Sequence, residues 1–533
     1  MSFAKYFLFL SCAALICACT ATISSDDEDE ISSVSSSSGK KSSSSKTSDK
    51  KSSAVEKDKS SSSNSDDEIS SSSVEELDEY CIGEPGKPWD GTTAKKFVCG
   101  AGTKLSPYVI LTAEQLAKLS FVIGANEKDY QGKYYKLGAD IILNDGKIID
   151  EKGALVADSS KLHKWTPIGN SSVAFTGTFD GDGHIVSGMF INTTSSHNGL
   201  FGNSSGTVEN LTVENSWVSG GKNTAGIVAV LAGAGIVKNV ENKASIISQS
   251  ETVAGIVALT SYAYSKKGTI ENAKNYGFIQ GAKLVAGIIA SSDNGLSLKN
   301  VANYGLITSQ TSAGGIGCHL GSETSIDHAE NFGEITGKDY TAGIASYFGH
   351  GYCTANRKYG TLKRAKNDAP IQGNKYSSGI VGQAQCVTIE TSVNNGIING
   401  KNLTGGICGH CQRSTTTSIY NTAKISGTLN VGGITGHNEE GVTNSAYSTG
   451  KVDGDSLVGL MIGYNYNTTM ADYYYLEQGD QEPFGLNNGG GVATPKSADE
   501  MKSSDFAELL GEDFVYDSGL NNGYPILKWE KEE

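Results

Sequence analysis

The chain has 533 residues, 38% of them hydrophobic and 19% charged, with 66 Gly, 10 Cys and a formal net charge of −15. Residues 20–79 contribute −8 of that charge, and the remainder is also net acidic. Nothing in that balance suggests a nucleic-acid partner, which would want a basic face, and none is expected.

At the start, Lys5 precedes an apolar run from Tyr6 to Ile16 that is too short for a permanent membrane span, so residues 1–19 read as an export signal. Ile16-Cys17-Ala18-Cys19 has the form of a bacterial lipobox. Cys19 is the expected lipid acceptor, giving a membrane partner through an N-terminal anchor. Cleavage nearby without lipid is the competing reading. Residues 20–79 hold 24 Ser, no aromatic and no Pro. They cannot bury enough apolar surface to offset chain entropy, so a disordered tether spanning about 40 Å is expected. The acidic cluster 25–30 resembles export signals of surface lipoproteins, which points to the bacterial outer membrane and its cell-surface side; plain secretion is the alternative.

Residues 80–133 read as an N-terminal cap segment. Cys81 and Cys99 flank Trp89 and are candidates for a disulfide in an exported chain. Thr112 and Gln115 form a capping-box pattern that opens a helix through Leu116, Leu119 and Phe121.

Residues 134–475 are dominated by repetition. A small residue, Gly and an aliphatic recur ten times, with Gly at 199, 226, 255, 287, 315, 343, 379, 406, 433 and 459, spaced 26 to 36 residues apart. Within one repeat, residues 285–290, 296–301 and 305–308 are short β-prone runs divided by turn residues. Three strands per coil and ten coils give an all-β, right-handed parallel β-helix, with short helical caps. Stacked coils place equivalent residues about 4.8 Å apart. One Asn column is expected at 239, 272, 300, 421 and 444, another at 242, 275, 303, 331, 367 and 394. Residues 476–533 form a C-terminal cap, with a second capping box at Ser497 and Glu500 opening a helix through Met501, Phe506, Leu509 and Leu510.

The recurrent Ala-Gly-Ile-Val and Gly-Gly-Ile-Thr-Gly elements, the segment Phe175 to His184 and the closing Asn521 to Trp529 resemble proteins with the GLUG motif. That resemblance implies a bacterial cell-surface protein, as in the non-catalytic parts of IgA-specific peptidases, and specifies architecture rather than activity. Ala229, Ala258, Ala290, Cys318 and Ser346 depart from its second Gly, where a small residue suffices.

Asp180, Asp182 and His184 lie close together, but Asp and Gly in such a segment shape a corner, and no catalytic residues are expected. Cys318, Cys353, Cys386, Cys408 and Cys411 fall near the end of the same strand on neighbouring coils, as do His319, His350, His410 and His437. Disulfides between coils, with Cys386 joined to Cys353 or Cys411, compete with a metal site around Cys408, His410 and Cys411 and with unpaired thiols. A lone Cys-x-x-Cys is not a zinc signature, so no cofactor is expected. Tyr276, Tyr304 and Phe332 form an aromatic column, a candidate set of glycan contacts or a packed corner. The expected protein is a monomeric, non-enzymatic, adhesin-like or glycan-binding surface lipoprotein whose partner is a polysaccharide or a surface protein. A polysaccharide lyase or hydrolase and a structural spacer are the alternatives.

Overall fold

The computed structural model describes residues 84–532 apart from 262–266, 294, 352 and 354–358. Cys19, the Ser-rich segment and Cys81 lie outside the described residues. What is described is a parallel β-solenoid. Thirteen strands stack in one continuous parallel ladder, from Tyr108–Ile110 through Tyr134–Leu137 and Thr178–Asp180 to Thr469–Leu476. The coils therefore begin before the first recognisable repeat. The capping box at Thr112 and Gln115 is present, and helix Ala113–Gly124 buries Leu116, Leu119, Val122 and Ile123 in the core. Phe121 is instead 59% exposed, because it lies on the opposite side of the helix from that buried stripe.

The repeats that follow Gly255 through Gly433 each hold four strands rather than three, whereas in the two before them Thr207–Gly220 and Ile236–Ser248 each run through as one long strand. In the coil after Gly287 the four are Ile289–Ser292, Leu296–Asn303, Ile307–Ser309 and Ser312–Gly314. The run 285–290, read as one strand, is broken at Gly287-Ile288 where the chain passes from a nine-stranded sheet to an eleven-stranded one. The other two strands belong to the 24-stranded sheet. Ile227, Ile256, Ile288, Ile316, Ile344, Ile380, Ile407 and Ile434, each following a repeat Gly, are fully buried. Each such side chain contributes roughly 1.5–3 kcal/mol of burial.

A polar spine runs beside this column. Asn242, Asn275, Asn303, Asn331, Asn367, Asn394 and Asn421 are fully buried, and each Nδ2 donates to the next Oδ1 at 2.8 Å as far as Asn421. The same Nδ2 groups donate to the backbone carbonyl two residues on, as from Asn303 to Gly305 at 3.0 Å. Asn421 thus belongs to this column. The other column runs Asn210, Asn239, Asn272, Asn300, then His328, Arg364, Thr391, Ser418 and Ser445, all with positive φ, and leaves Asn444 one position outside it. The spine also explains the repeat Gly. A Cβ at Gly287 would lie 2.5 Å from Asn303 Oδ1 and 2.4 Å from Gly315 O, so the position requires the absence of a side chain.

The C-terminal segment is capped at Ser497 with Glu500 as expected. Helices Ala498–Met501 and Ser504–Leu510 do not form a lid beyond the last coil. With Phe514, Leu527 and Trp529 they pack on Val393, Tyr420, Tyr447 and Tyr474, which project outward from the long sheet, while Leu509 is 46% exposed. Trp529 Nε1 donates to Thr391 O at 3.0 Å, and Tyr420 donates its hydroxyl to Glu530 at 2.8 Å.

Candidate functional site

Strand alternation puts one residue per coil of the eleven-stranded sheet on its outer surface at the same height. Along that row His319, Tyr347, Gln383, His410, His437 and Tyr464 are successive register partners. Five steps span about 24 Å. Tyr340 and Tyr376, stacked at 4.6 Å and 8° from the adjacent nine-stranded sheet, flank the row. His410 stacks on His437 at 4.7 Å and His437 on Tyr464 at 4.6 Å. The result is a strip of aromatic and imidazole rings parallel to the solenoid axis.

At one end the strip opens into a cavity of about 370 Å³ lined by Leu284, Ser312, Cys318, His319, Tyr340 and Tyr347. Its walls are rings: Tyr347 meets Tyr340 edge-on at 6.3 Å and His319 at 4.7 Å. Tyr347 donates its hydroxyl to Gln385 at 2.7 Å. Burial raises the phenol pKa of Tyr340 and Tyr347, keeping both protonated as donors. Cys318 has a free thiol that donates to Ser312 O at 3.4 Å, and burial pushes its pKa up to about 12. A thiol so shifted is not a nucleophile at neutral pH. The cavity therefore offers apolar ring walls and a few hydrogen-bonding groups.

Further along, His410, His437 and Glu439 bring their ligand-type atoms within 4.8 Å of one another. His410 Nε2 lies 3.1 Å from Glu439 Oε2, which also accepts from Gln412 Nε2 at 3.1 Å. Burial holds both imidazoles below the usual His range, His437 at about 4. Glu439 is also lowered, since hydrogen bonds from His410 and Gln412 outweigh its burial.

The cysteines are arranged otherwise than a metal site around Cys408, His410 and Cys411 requires. Cys408 is bonded to Cys411 across 6.0 Å between α-carbons, and Cys353 to Cys386 across 5.7 Å. Cys411 is not the partner of Cys386: it opposes Ala384 within the sheet, whereas Cys386 lies in the turn beyond that strand with φ 57°. Cys99 is disulfide-bonded.

Tyr276, Tyr304 and Phe332 do form a column, with centroids 4.7 and 4.9 Å apart and planes within 12°. They are 37–40% exposed, but their faces cover one another and Lys243 lies over Tyr276, so a ligand would meet mainly ring edges. Asp180 accepts from Asp182 N and Asn210 Nδ2, Asp182 pairs with Lys136, and His184 contacts Asp140 at 3.1 Å. Those contacts, with φ 51° at Asp182, are those of a corner. Sequence reasoning missed the strip because its positions carry His, Tyr and Gln in turn. The equal offset of His319, His410 and His437 from their repeat Gly was the signal that marked it.

No family model matches the chain. It is 34% identical over 146 residues to halomucin of Haloquadratum walsbyi, covering 26% of this chain and 1% of that protein. It is 32% identical over 126 residues to the "Putative Gly-rich membrane protein" of Evansella cellulosilytica, covering 23% of this chain and 13% of that one. The chain thus matches only a small part of the length of these curated relatives. A crystal structure from Bacteroides ovatus, described as that of a "putative immunoglobulin A1 protease", aligns at 16% identity and a TM-score of 0.35 over 81% of this chain and 94% of that one. Among the described residues no helix is long and apolar enough to cross a membrane.

Proposed function

We propose that the chain is a lipid-anchored β-solenoid displayed on the bacterial outer surface, where it binds glycans without cleaving them. The observation that carries this reading is the cavity walled by His319, Tyr340 and Tyr347 at the end of a 24 Å strip of rings, about the footprint of a short oligosaccharide. Aromatic walls receive the C–H faces of sugar rings, and fixed phenol and imidazole groups orient the hydroxyls. The volume lies within the ~300–1,000 Å³ of small-ligand sites. The lipobox at Cys19, the Ser-rich tether and the GLUG-like repeats support surface display, and the likeness to a protein named as a membrane protein accords with it.

Purified full chain is applied to glycan and plant-polysaccharide arrays, with reducing-sugar release measured in parallel and the mature N-terminus examined by mass spectrometry. Binding to a glycan subset, lost in Tyr347→Ala, without sugar release, is the expected result. No binding to any glycan overturns the ligand assignment, sugar release establishes the lyase or hydrolase reading, and an unmodified N-terminus away from Cys19 removes the lipid anchor.

A further inference from the structure

We infer that His410, His437 and Glu439 form a divalent transition-metal site, with zinc the ion that fits best. Its donors are two imidazoles and one carboxylate, a set that suits zinc and its neighbours rather than magnesium or calcium. His410 Nε2 and Glu439 Oε2 are already 3.1 Å apart. Zinc bonded at about 2.0–2.2 Å in tetrahedral geometry places its donors roughly 3.4 Å apart. That pair needs no adjustment beyond a few tenths of an ångström. His437 has a ring nitrogen within 4.8 Å of both, and its ring has to tilt out of its 11° alignment with His410 to aim its lone pair at the same point. The motion is a side-chain rotation on a fixed strand.

The surroundings supply the support a ligating carboxylate requires. Gln385 donates to Gln412 Oε1 at 2.9 Å, and Gln412 donates to Glu439 Oε2, so a hydrogen-bonded line across three coils orients the carboxylate. Three protein ligands on an outward surface leave a fourth position facing solvent. Cys408 and Cys411, being joined to each other, do not compete for the ion.

The repeat itself supplies fold-preserving tests. The two rows read Gln383, His410, His437, Tyr464 and Gln385, Gln412, Glu439, Tyr466, so only these two coils combine two imidazoles with a carboxylate. His410→Gln, His437→Tyr and Glu439→Gln each install the residue that occupies the same place one coil away. The full chain, stripped of metal with chelator and kept free of reductant, is titrated with zinc chloride by calorimetry. Cobalt absorption spectra are then recorded on the same samples. One equivalent of zinc per chain is expected, with a tetrahedral cobalt spectrum. Affinity should fall by ~100-fold or more in each variant, beyond the ~10–100-fold that loss of an outer-shell support costs. Circular dichroism should stay unchanged, and His319→Gln should bind as the parent does. Absence of zinc binding at millimolar ion, or equal affinity in the parent and in a chain carrying all three substitutions together, overturns the site. Because the readout is the metal alone, the outcome is independent of glycan recognition.

Discussion

Asn303→Ala removes one rung of the buried amide spine. Asn303 is fully buried, accepts from Asn275 Nδ2 at 2.8 Å, and donates to Asn331 Oδ1 at 2.8 Å and to Gly305 O at 3.0 Å. Three bonds of about 1 kcal/mol net each, two of them leaving an acceptor without this donor, put the cost at about 3–5 kcal/mol. Asn421→Ser tests the same spine at its end, where the position one coil on is already Ser448. It should cost less than about 1.5 kcal/mol, since a hydroxyl remains to pair with Asn394. A solenoid need not unfold in one step, so urea unfolding by circular dichroism is paired with amide hydrogen exchange resolved by coil. Protection should fall most in residues 296–309 and their neighbours. An unfolding midpoint for Asn303→Ala equal to that of the parent would refute the view that the spine holds the coils together.

Gly287→Ala should destabilise by ~2 kcal/mol or more through its contacts with Asn303 and Gly315, whereas Gly268→Ala, whose Cβ meets nothing closer than 3.4 Å, should stay within about 0.5 kcal/mol in the same urea assay. Ile288→Asp places an unpaired charge at a fully buried position, and its thermal midpoint should collapse. Burial raises the pKa of Glu530 despite hydrogen bonds from Leu527 N and Tyr420, so the folded state holds its proton to higher pH than the unfolded chain. Docking of residues 497–531 should therefore weaken as pH rises from the ordinary Glu range through that raised value; Glu530→Gln should flatten the trend in limited proteolysis. Non-reducing peptide mapping should recover Cys353 with Cys386 and Cys408 with Cys411, and label Cys318 only after unfolding.

The solenoid was legible because its period is written in residues with few substitutes: the repeat Gly beside the Asn spine, and the aliphatic residue that follows it into the core. The fourth strand was not, because the corner at Gly287-Ile288 lies inside an unbroken apolar run and periodicity alone does not reveal a change of direction. The first Asn column misled because its left-handed position is filled by Asn on four coils and then by His328, Arg364, Thr391 and Ser418, as the local backbone constrains φ more than side-chain type. Before residue 199 the coil that runs from Tyr134 to its register partner Thr178 is much longer than the repeat and interrupts the spacing. The seat of the C-terminal helices depended on Tyr420, Tyr447 and Tyr474, an outward column that reads as surface until its cover is seen. The strip with its cavity is the product of register: His319, Tyr347 and Tyr340 come together only when coils stack and two sheets meet at a corner.

The most direct test of the account is calorimetric titration of an array-selected oligosaccharide into the parent chain, Tyr340→Ala, Tyr347→Ala and Tyr304→Ala. Loss of at least ~10-fold in affinity, about 1.4 kcal/mol, is predicted for Tyr340→Ala and Tyr347→Ala, with Tyr304→Ala unchanged. Undiminished binding in the two cavity variants, with loss in Tyr304→Ala, would contradict it and move the site to the column of Tyr276, Tyr304 and Phe332.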